Sequence, residues 1–247
     1  MTLDPKERFS ATVANYDAHR PSYPDALLDW VLATSGVRSG ERVVDVGCGT
    51  GISARLFAAR GLDVVGVEPN DAMRAAAAAH GGARYVKGDS AATGLPAGSA
   101  ALVVAAQAFH WFEVGPTLTE FRRILKPGGW CAAFWNDRTM DTPFLRGYDA
   151  LLREHSTEYK QVRSKADTLE AIRTSAGVRD WTAARFPNAQ PMDREAFLGR
   201  VYSSSYVVHG VARPEEFRAA VEALFDAHAV DGRAEFRYLT EAACWRL

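Results

Sequence analysis

The sequence predicts an α/β fold in which helices cover both faces of a doubly wound parallel sheet. Strand-like and helix-like segments alternate five times within the first 135 residues, which is typical of parallel strands joined by right-handed crossovers. The run from Ala101 to Ala106 is apolar throughout, as expected for a strand that is buried on both faces. A glycine-rich turn over residues 47–51 follows the first apolar strand and precedes a helix.

The individual elements follow from hydrophobic spacing and from the positions of glycine and proline. Helices are predicted over residues 24–36, 116–125, 142–159, 165–176, 194–202 and 214–229, with two more after the glycine turn and after Glu68. Strands are predicted over residues 41–46, 62–67, 84–87, 101–106, 130–135, 181–186 and 235–245. No repeat, low-complexity tract or linker interrupts these elements, so residues 1–247 are predicted to form a single domain.

The composition argues against several classes of protein. The 247 residues carry a net charge of -1, which gives no electrostatic reason to expect a nucleic-acid partner. The three cysteines are odd in number and widely spaced, so they indicate neither a disulfide framework nor a metal site and favour a reducing compartment. No apolar leader and no membrane-spanning stretch is evident in the sequence. We therefore expect a cytoplasmic protein without a membrane partner.

The glycine turn is the first candidate binding site. Gly47, Gly49 and Gly51 occupy every second position, which lets the backbone turn tightly and approach a ligand. The dinucleotide-binding fingerprint G-x-G-x-x-G would require a third glycine at position 52, which is Ile52 in this sequence, so the fingerprint is not matched. Asp45 lies two residues before the first glycine, where a carboxylate suits a cationic ligand, such as the ammonium group of an amino acid, better than a phosphate. A tight turn that binds nothing is the alternative.

Two further strand ends carry polar residues. Glu68 ends the second apolar run, about twenty residues after the glycine turn, where an acidic side chain can accept both hydroxyls of a ribose. A surface glutamate that caps a helix is the alternative. The fourth strand leads into residues 107–112, which include His110 among three aromatic residues. Since ligands of parallel sheets bind at the carboxyl ends of strands, these side chains are expected to face a site. A packed, hydrogen-bonded histidine is an equally good interpretation of His110.

Several of these segments resemble a known enzyme family. Residues 45–51 resemble motif I of the class I S-adenosylmethionine-dependent methyltransferases, and residues 107–112 match the Q-x-F-H-W-F pattern of the trans-aconitate methyltransferase-like group of small-molecule enzymes. The loop Gly88-Asp89-Ser90 and the turn Lys126-Pro127-Gly128-Gly129 are also similar to the family, and they follow in the family's order. The resemblance implies a Rossmann-like sheet of seven strands with an antiparallel last strand, and S-adenosyl-L-methionine as the cofactor.

The resemblance also implies a set of site residues. Asp45 would lie near the methionine ammonium group, directly or through water, with Gly47 and Gly49 beside the homocysteine portion. Asp89 and Ser90 would contact the adenine, and Met73 would pack on it or serve only as core. The full set of implied cofactor residues is Tyr16, Arg20, Asp45, Gly47, Cys48, Gly49, Gly51, Glu68, Pro69, Met73, Asp89, Ser90 and Gln107. No metal ligand is implied.

Both ends of the fold carry segments that are expected to cover this site. The family's pattern Y-x-x-x-R-P-x-Y-P spans residues 16–24, at the end of an N-terminal arm of residues 1–23, and the resemblance implies that Tyr16 and Arg20 lie over the carboxylate end of the cofactor. An arm that is packed on the surface without a function is the alternative. Residues 187–232, approximately, separate the last two predicted strands and are too long for a turn, so we expect a helical lid or cap. Residues 202–206 within it offer hydroxyls and rings for an acceptor pocket.

The predicted reaction is direct in-line transfer of a methyl group to a small molecule, by a monomer or a homodimer. Such an enzyme must mainly align two ligands and exclude water. The acceptor is a carboxylate, a phenol or an amine, and His110 is the candidate for orienting or deprotonating it. A carboxylate would need cationic anchors, for which Arg138, Arg200 and Arg233 are candidates. The alternatives are an NAD-dependent oxidoreductase and a non-catalytic protein that binds an adenosine ligand.

Overall fold

A computed structural model describes residues 19–159 and 165–247. Its seven strands are β1 (Arg42–Val46), β2 (Asp63–Val67), β3 (Arg84–Val86), β4 (Ala100–Ala106), β5 (Leu125–Arg138), β6 (Arg179–Met192) and β7 (Ala234–Arg246). Its helices are α1 (Asp25–Ser35), α2 (Ile52–Ala58), α3 (Asp71–His80), α4 (Val114–Ile124), α5 (Pro143–His155), α6 (Lys165–Arg173), α7 (Arg194–Tyr202), α8 (Ser205–Val208) and α9 (Pro214–His228). A short 3₁₀ helix spans Phe109–Trp111.

The strands form one sheet in the order β3-β2-β1-β4-β5-β7-β6. Strands β1 to β5 are parallel, whereas β7 runs antiparallel to both of its neighbours, β5 and β6. The prediction of a Rossmann-like seven-stranded sheet with an antiparallel last strand is confirmed. Because β1 lies between β2 and β4, the chain changes its winding direction there, and such a switch point is where open α/β sheets bind ligands.

The two faces of the sheet carry separate hydrophobic cores, because alternate residues of each strand point in opposite directions. Val44 of β1 belongs to the core that α4 covers through Phe121. Val43 of the same strand belongs to the opposite core, which α1 and α2 cover through residues such as Leu28 and Phe57. Helices on both faces fix the carboxyl ends of β1, β2 and β4 beside one another, and the predicted site residues follow those ends.

A third hydrophobic core lies under the helices of the C-terminal half. It joins α5, α7 and α9 to the first residues of β7, with Phe144, Tyr148, Phe197, Phe217 and Phe236 fully or nearly fully buried in it. Several aromatic pairs in this core meet edge to face or stacked, which are arrangements that aromatic pairs prefer. The helices between β6 and β7 therefore pack together with α5 around this third core. We call residues 193–233 the helical segment.

The helical segment begins later than the sequence predicted. Residues 187–192 were expected to belong to it, but they pair with β7 from Pro187 opposite Leu239 to Met192 opposite Ala234. Strand β6 lies at the edge of the sheet, where proline is tolerated because one side of the strand needs no ladder hydrogen bonds. In the part of the chain that the structure describes, no helix is long and apolar enough to cross a membrane.

Candidate active site

The glycine turn is compact and closely packed. The φ angles of Gly47, Gly49 and Gly51 are +70°, +56° and +82°, a region that residues with a side chain rarely adopt. A Cβ at Gly47 would lie 2.8 Å from the Cβ of Ala108, and one at Gly51 would lie 2.9 Å from Cζ of Tyr85. Glycine is therefore required at Gly47 and Gly51 for two reasons, the positive φ angle and the lack of room for a Cβ atom.

Glu68 connects the turn to the end of β2. Its Oε2 accepts the amide of Gly49 at 2.9 Å, and its Oε1 accepts the amide of Asn70 at 2.9 Å. Burial raises the pKa of the Glu68 carboxyl, and these two amides partly oppose that effect. Each carboxylate oxygen can accept more than one hydrogen bond, so Glu68 retains the capacity to receive hydroxyl groups from a ligand.

Asp45 lies directly behind the turn and is completely buried. Its Oδ2 accepts the hydroxyl of Ser53 at 2.5 Å, while its Oδ1 has no hydrogen-bond partner among the described residues. Burial raises the pKa of Asp45 to about 7, the negative charge of Glu68 adds to this, and the hydrogen bond from Ser53 opposes it. An unsatisfied, buried carboxylate oxygen is costly, which points to a positively charged or hydrogen-bonding group that completes the site.

One cavity of about 940 Å³ opens at the carboxyl ends of β1, β2 and β4 and extends to the helical segment. It brings together most of the predicted site residues, namely Arg20, Gly47, Cys48, Gly49, Glu68, Pro69, Met73, Asp89, Ser90, Gln107 and His110. Asp45 and Gly51 do not line this cavity. Two neighbours of Asp45 do line the cavity: Ser53, which donates a hydrogen bond to Asp45, and Gly47, which follows Asp45 two residues later in the chain. Tyr16 lies outside the described residues.

The loop after β3 is held by its own side chains. Asp89 Oδ1 accepts the amides of Ala91 and Ala92 at 3.0 and 2.9 Å, an Asx turn that fixes the carboxylate at the cavity wall. The hydroxyl of Thr117 donates to that of Ser90 at 3.0 Å. These contacts hold the loop in place, and the sequence did not reveal them.

His110 is positioned by the indole of Trp135, which is fully buried. Trp135 Nε1 donates to His110 Nδ1 at 3.1 Å, and an indole nitrogen can only donate. In its neutral form the imidazole therefore carries its proton on Nε2. His110 can donate a hydrogen bond from Nε2 to an acceptor molecule, but the lone pair that a base needs is occupied by Trp135.

Gln107, directly after β4, has a strained backbone. Its φ angle is +55°, which costs a residue with a side chain about 1 kcal/mol. Its backbone amide donates to the carbonyl of Phe134 at 2.9 Å, and its side-chain Nε2 donates to the carbonyl of Asn136 at 3.3 Å. Such strain is common where a chain must present groups to a ligand.

The end of the cavity under the helical segment is polar and contains residues that the sequence did not single out. Arg138 and Arg200 line it, as the sequence suggested for a cationic anchor, and so do Ser205 and Tyr206 of the predicted stretch 202–206. Tyr159, Lys165 and Tyr238, which the sequence did not single out, join them. Arg233 is instead exposed in the turn before β7, so its proposed role as an anchor was wrong. These residues come from separate elements far apart in the chain, and no local spacing signals that they meet.

The residues before α1 connect the two ends of the cavity. Arg20 Nη2 donates to the carbonyl of Ser203 in the helical segment at 3.2 Å. The carbonyl of Ser22 accepts from Asn136 at 3.1 Å and from Asn188 at 2.9 Å. The described part of the N-terminal arm, residues 19–23, therefore contacts β5, β6 and the helical segment.

Comparison with known proteins identifies this architecture. The methyltransferase domain family matches residues 44–133, from β1 into β5. An uncharacterized methyltransferase of Mycobacterium tuberculosis is 36% identical over 134 residues, which make up 53% of this chain and 52% of that protein. The chain thus spans about half the length of this relative. An uncharacterized methyltransferase of a Mycobacterium species is 30% identical over 181 residues, 66% of this chain and 71% of that protein.

Solved structures show the same fold over nearly the whole chain. A candidate Type II methyltransferase from Anaeromyxobacter dehalogenans superposes with a TM-score of 0.67 and 24% identity, over 92% of this chain and 96% of that one. A phosphoethanolamine N-methyltransferase of Haemonchus contortus superposes with a TM-score of 0.59 and 15% identity, over 99% of this chain and 60% of that one. Sequence relatives, fold and glycine turn agree, and the chain belongs to the class I S-adenosylmethionine-dependent methyltransferase family.

Proposed function

We propose that this protein transfers the methyl group of S-adenosylmethionine directly to a small-molecule acceptor. One observation carries the proposal: a single cavity joins the glycine turn and Glu68 at one end to a chamber of arginines and tyrosines at the other. In-line transfer needs two ligands held in contact in a site from which water is excluded. The cavity volume of about 940 Å³ lies at the upper end of the range for small-molecule sites, which suits two ligands.

The residues at the glycine-turn end fit this cofactor. The carboxylate of Asp45 is a suitable partner for the cofactor's ammonium group, although Asp45 does not line the cavity. The contact would run through a water molecule bound to the unsatisfied Oδ1, or through the Ser53 hydroxyl, which donates to Oδ2. Glu68 is suited to the ribose hydroxyls, and Asp89 and Met73 to the adenine. When bound, the cofactor supplies an electrophilic methyl group on a sulfonium. The related fold from Haemonchus contortus was solved in complex with S-adenosylhomocysteine and phosphomonomethylethanolamine, a donor product and a small acceptor.

The remaining residues would orient the acceptor and cover it. Because Nδ1 of His110 accepts the hydrogen bond from Trp135, His110 would orient the acceptor through its Nε2–H group. Arg20 and the helical segment, which contact each other through the Ser203 carbonyl, would close the cavity over both ligands. In this proposal the helical segment is the lid expected from the sequence, and no general base is required for an acceptor that arrives ionised.

Calorimetry with three ligands tests the cofactor assignment. We expect binding of S-adenosylmethionine and S-adenosylhomocysteine and no binding of NAD. Asp45→Ala should weaken S-adenosylhomocysteine binding strongly, whereas Asp29→Ala, a change at an exposed residue of α1, should leave it unchanged. Binding of NAD alone would support an oxidoreductase instead.

A second measurement tests the reaction itself. Labelled S-adenosylmethionine is incubated with the protein and with panels of carboxylic acids, phosphomonoesters, phenols and amines. We expect label to move to members of one panel and S-adenosylhomocysteine to accumulate in equal amount. A protein that binds the cofactor but labels no compound of any panel would instead be a non-catalytic adenosine-ligand-binding protein.

A further inference from the structure

Two buried arginines lie at the end of the cavity that is covered by the helical segment. Arg200 of α7 is 7% exposed, and the side chain of Arg138, at the end of β5, is 10% exposed. Both line the cavity, together with Tyr206 of α8 and Tyr238 of β7. We call these four residues the arginine pocket. Arginine is rarely buried unless a negative group accompanies it.

The guanidinium of Arg200 has only neutral partners within the described ranges. Its Nε donates to the hydroxyl of Tyr238 at 3.2 Å, and its Nη1 donates to the hydroxyls of Ser204 at 2.9 Å and Ser203 at 3.5 Å. Its Nη2 donates to no described group, and Arg200 forms no ion pair with a described carboxylate. The charge is thus held in place by hydroxyls but is not neutralised by them.

Arg138 is only partly neutralised. Its Nη2 donates to Asp149 Oδ1 at 3.2 Å and to the hydroxyl of Tyr159 at 2.7 Å. Asp149 also pairs with Arg153 at 2.6 Å, so one carboxylate serves two arginines. The Nε of Arg138 is buried and has no hydrogen-bond partner among residues 19–159 and 165–247. A donor that is buried without a partner is a second sign that the pocket is incomplete.

The neighbouring groups respond to this surplus of positive charge. Burial tends to raise the pKa of Tyr206, but the charges of Arg200 and Arg138 outweigh that effect and lower the pKa below its ordinary value. Two acidic side chains, Asp137 and Glu158, also line the cavity near the arginine pocket. Asp137 is paired with Lys165, and Glu158 forms no ion pair with Arg138 or with Arg200 within the described residues, so neither acid neutralises Arg200 directly.

We infer that the arginine pocket binds an anionic group of the methyl acceptor, a carboxylate or a phosphate. The planar guanidinium fork of Arg200 matches either anion, and the unpartnered Nε of Arg138 and the hydroxyl of Tyr206 supply further donors. The anion would neutralise Arg200 and satisfy the donors that the protein leaves open. This inference rests on the proposed function, because it names the acceptor class that the same cavity receives.

Binding of simple anions to the whole protein is the direct test. The probes are sodium malonate and inorganic phosphate, with malonamide as an uncharged control, measured by thermal shift and calorimetry in the presence of saturating S-adenosylhomocysteine. We expect at least one anion to raise the melting temperature in proportion to the logarithm of its concentration, and malonamide to have no effect. Whichever anion binds more tightly assigns the pocket to carboxylates or to phosphates.

Substitution of Arg200 locates the binding. Arg200→Met preserves much of the length of the side chain and removes its charge, and we expect it to weaken anion binding at least about 30-fold. Arg200→Lys should restore part of the affinity, because it keeps the charge but loses the fork. Arg233→Met, at an exposed arginine outside the cavity, is the matched control and should bind the anion as the wild type does. If Arg200→Met fails to fold, Arg138→Met provides the same test.

The outcomes separate this inference from the proposed function. A wild-type protein that binds S-adenosylhomocysteine but neither anion would overturn the inference and leave the proposed function intact. Anion binding that persists unchanged in both Arg200→Met and Arg138→Met would also overturn it. Anion binding through Arg200 without any S-adenosylhomocysteine binding would overturn the proposed function and retain the anion site. In the labelling assay we expect transfer to acids or phosphomonoesters, and transfer only to uncharged phenols or amines would contradict the acceptor class.

Discussion

Asp45→Asn tests the electrostatics of the glycine turn, because it removes a carboxyl group whose pKa is raised by burial from 3.8 to about 7. Between these two pH values the folded protein keeps a proton that the unfolded chain has released. Stability falls with pH wherever the folded state binds more protons than the unfolded state. The wild-type protein should therefore lose stability as the pH rises through this window, and the effect should level off above pH 7.

The magnitude follows from the separation of the two pKa values. They lie about three pH units apart, and each unit corresponds to about 1.4 kcal/mol, so ionised Asp45 lowers the free energy of unfolding by about 4 kcal/mol above pH 7. About 2.5 kcal/mol of this arises between pH 5 and pH 8. The amide group of the substituted side chain would leave a buried donor unsatisfied at a cost of about 1–3 kcal/mol. The change with pH, and not the absolute stability, is therefore the quantity to compare.

Urea denaturation at pH 5, 6, 7 and 8 measures this difference directly. We expect the free energy of unfolding of the wild type, minus that of Asp45→Asn, to fall by about 2.5 kcal/mol from pH 5 to pH 8. Groups that titrate in both proteins cancel in the subtraction. The exposed change Asp29→Asn is the control and should track the wild type. Parallel curves for wild type and Asp45→Asn would refute the argument that Asp45 titrates near pH 7.

The same carboxyl group links pH to cofactor affinity. If the ammonium group of S-adenosylhomocysteine interacts with ionised Asp45, binding requires the ionised form, whose fraction rises from about 1% at pH 5 to about half at pH 7. Calorimetry should then show an affinity that increases about 50-fold over this range. Asp45→Asn should bind weakly and with little pH dependence, and a steep pH dependence in this variant would assign the effect to another group.

Three further substitutions test the walls of the site. Gly51→Ala should lower the free energy of unfolding by about 1–3 kcal/mol in urea denaturation, because it combines a φ of +82° with a collision against Tyr85, and unchanged stability would mean that the turn relaxes freely. Glu68→Gln should weaken S-adenosylhomocysteine binding about tenfold in calorimetry, so equal affinity would remove Glu68 from the ribose site. The thermal midpoint should also fall, because the amide nitrogen of glutamine would face one of the two backbone N–H groups that the carboxylate accepts. Trp135→Phe removes the hydrogen bond to Nδ1 of His110, so the imidazole is no longer held with its proton on Nε2. We expect kcat to fall up to about tenfold while S-adenosylhomocysteine affinity stays unchanged. A normal kcat would show that the position of the His110 proton does not matter.

The glycine-turn half of the site was predictable because its information is local. The sequence between Asp45 and Gly51 fixes a strand, a turn and a helix start within a few residues, and Glu68 follows the next strand along the chain. The sequence did not reveal that Asp45 lies behind the cavity wall. Its position depends on Ser53 of α2, whose hydroxyl donates to the buried carboxylate, and such a contact is set by packing.

The acceptor half was less predictable because its residues meet only in three dimensions. Arg200 and Arg233 were equivalent candidates in the sequence, yet one is 7% exposed in the cavity and the other lies in an exposed turn. Burial alone separates them. Similarly, the sixth strand was predicted over residues 181–186, whereas β6 continues through Pro187 to Met192, because proline is tolerated in a strand at the edge of the sheet. Both errors arise from long-range pairing that local patterns do not encode.

The contacts of residues 20–22 give a physical reason to expect that the two ligands bind cooperatively. Arg20 holds the carbonyl of Ser203, which is adjacent to the Ser204 hydroxyl that Arg200 contacts, while the carbonyl of Ser22 is held by Asn136 of β5 and by Asn188 of β6. Movement of the helical segment would therefore disturb residues 20–22. Ordering of the helical segment would favour ordering of residues 20–22, and the reverse also holds. A first ligand that orders this connection lowers the entropy cost for the second. Coupling of this kind suits in-line transfer, for which both ligands must be in place before water is excluded.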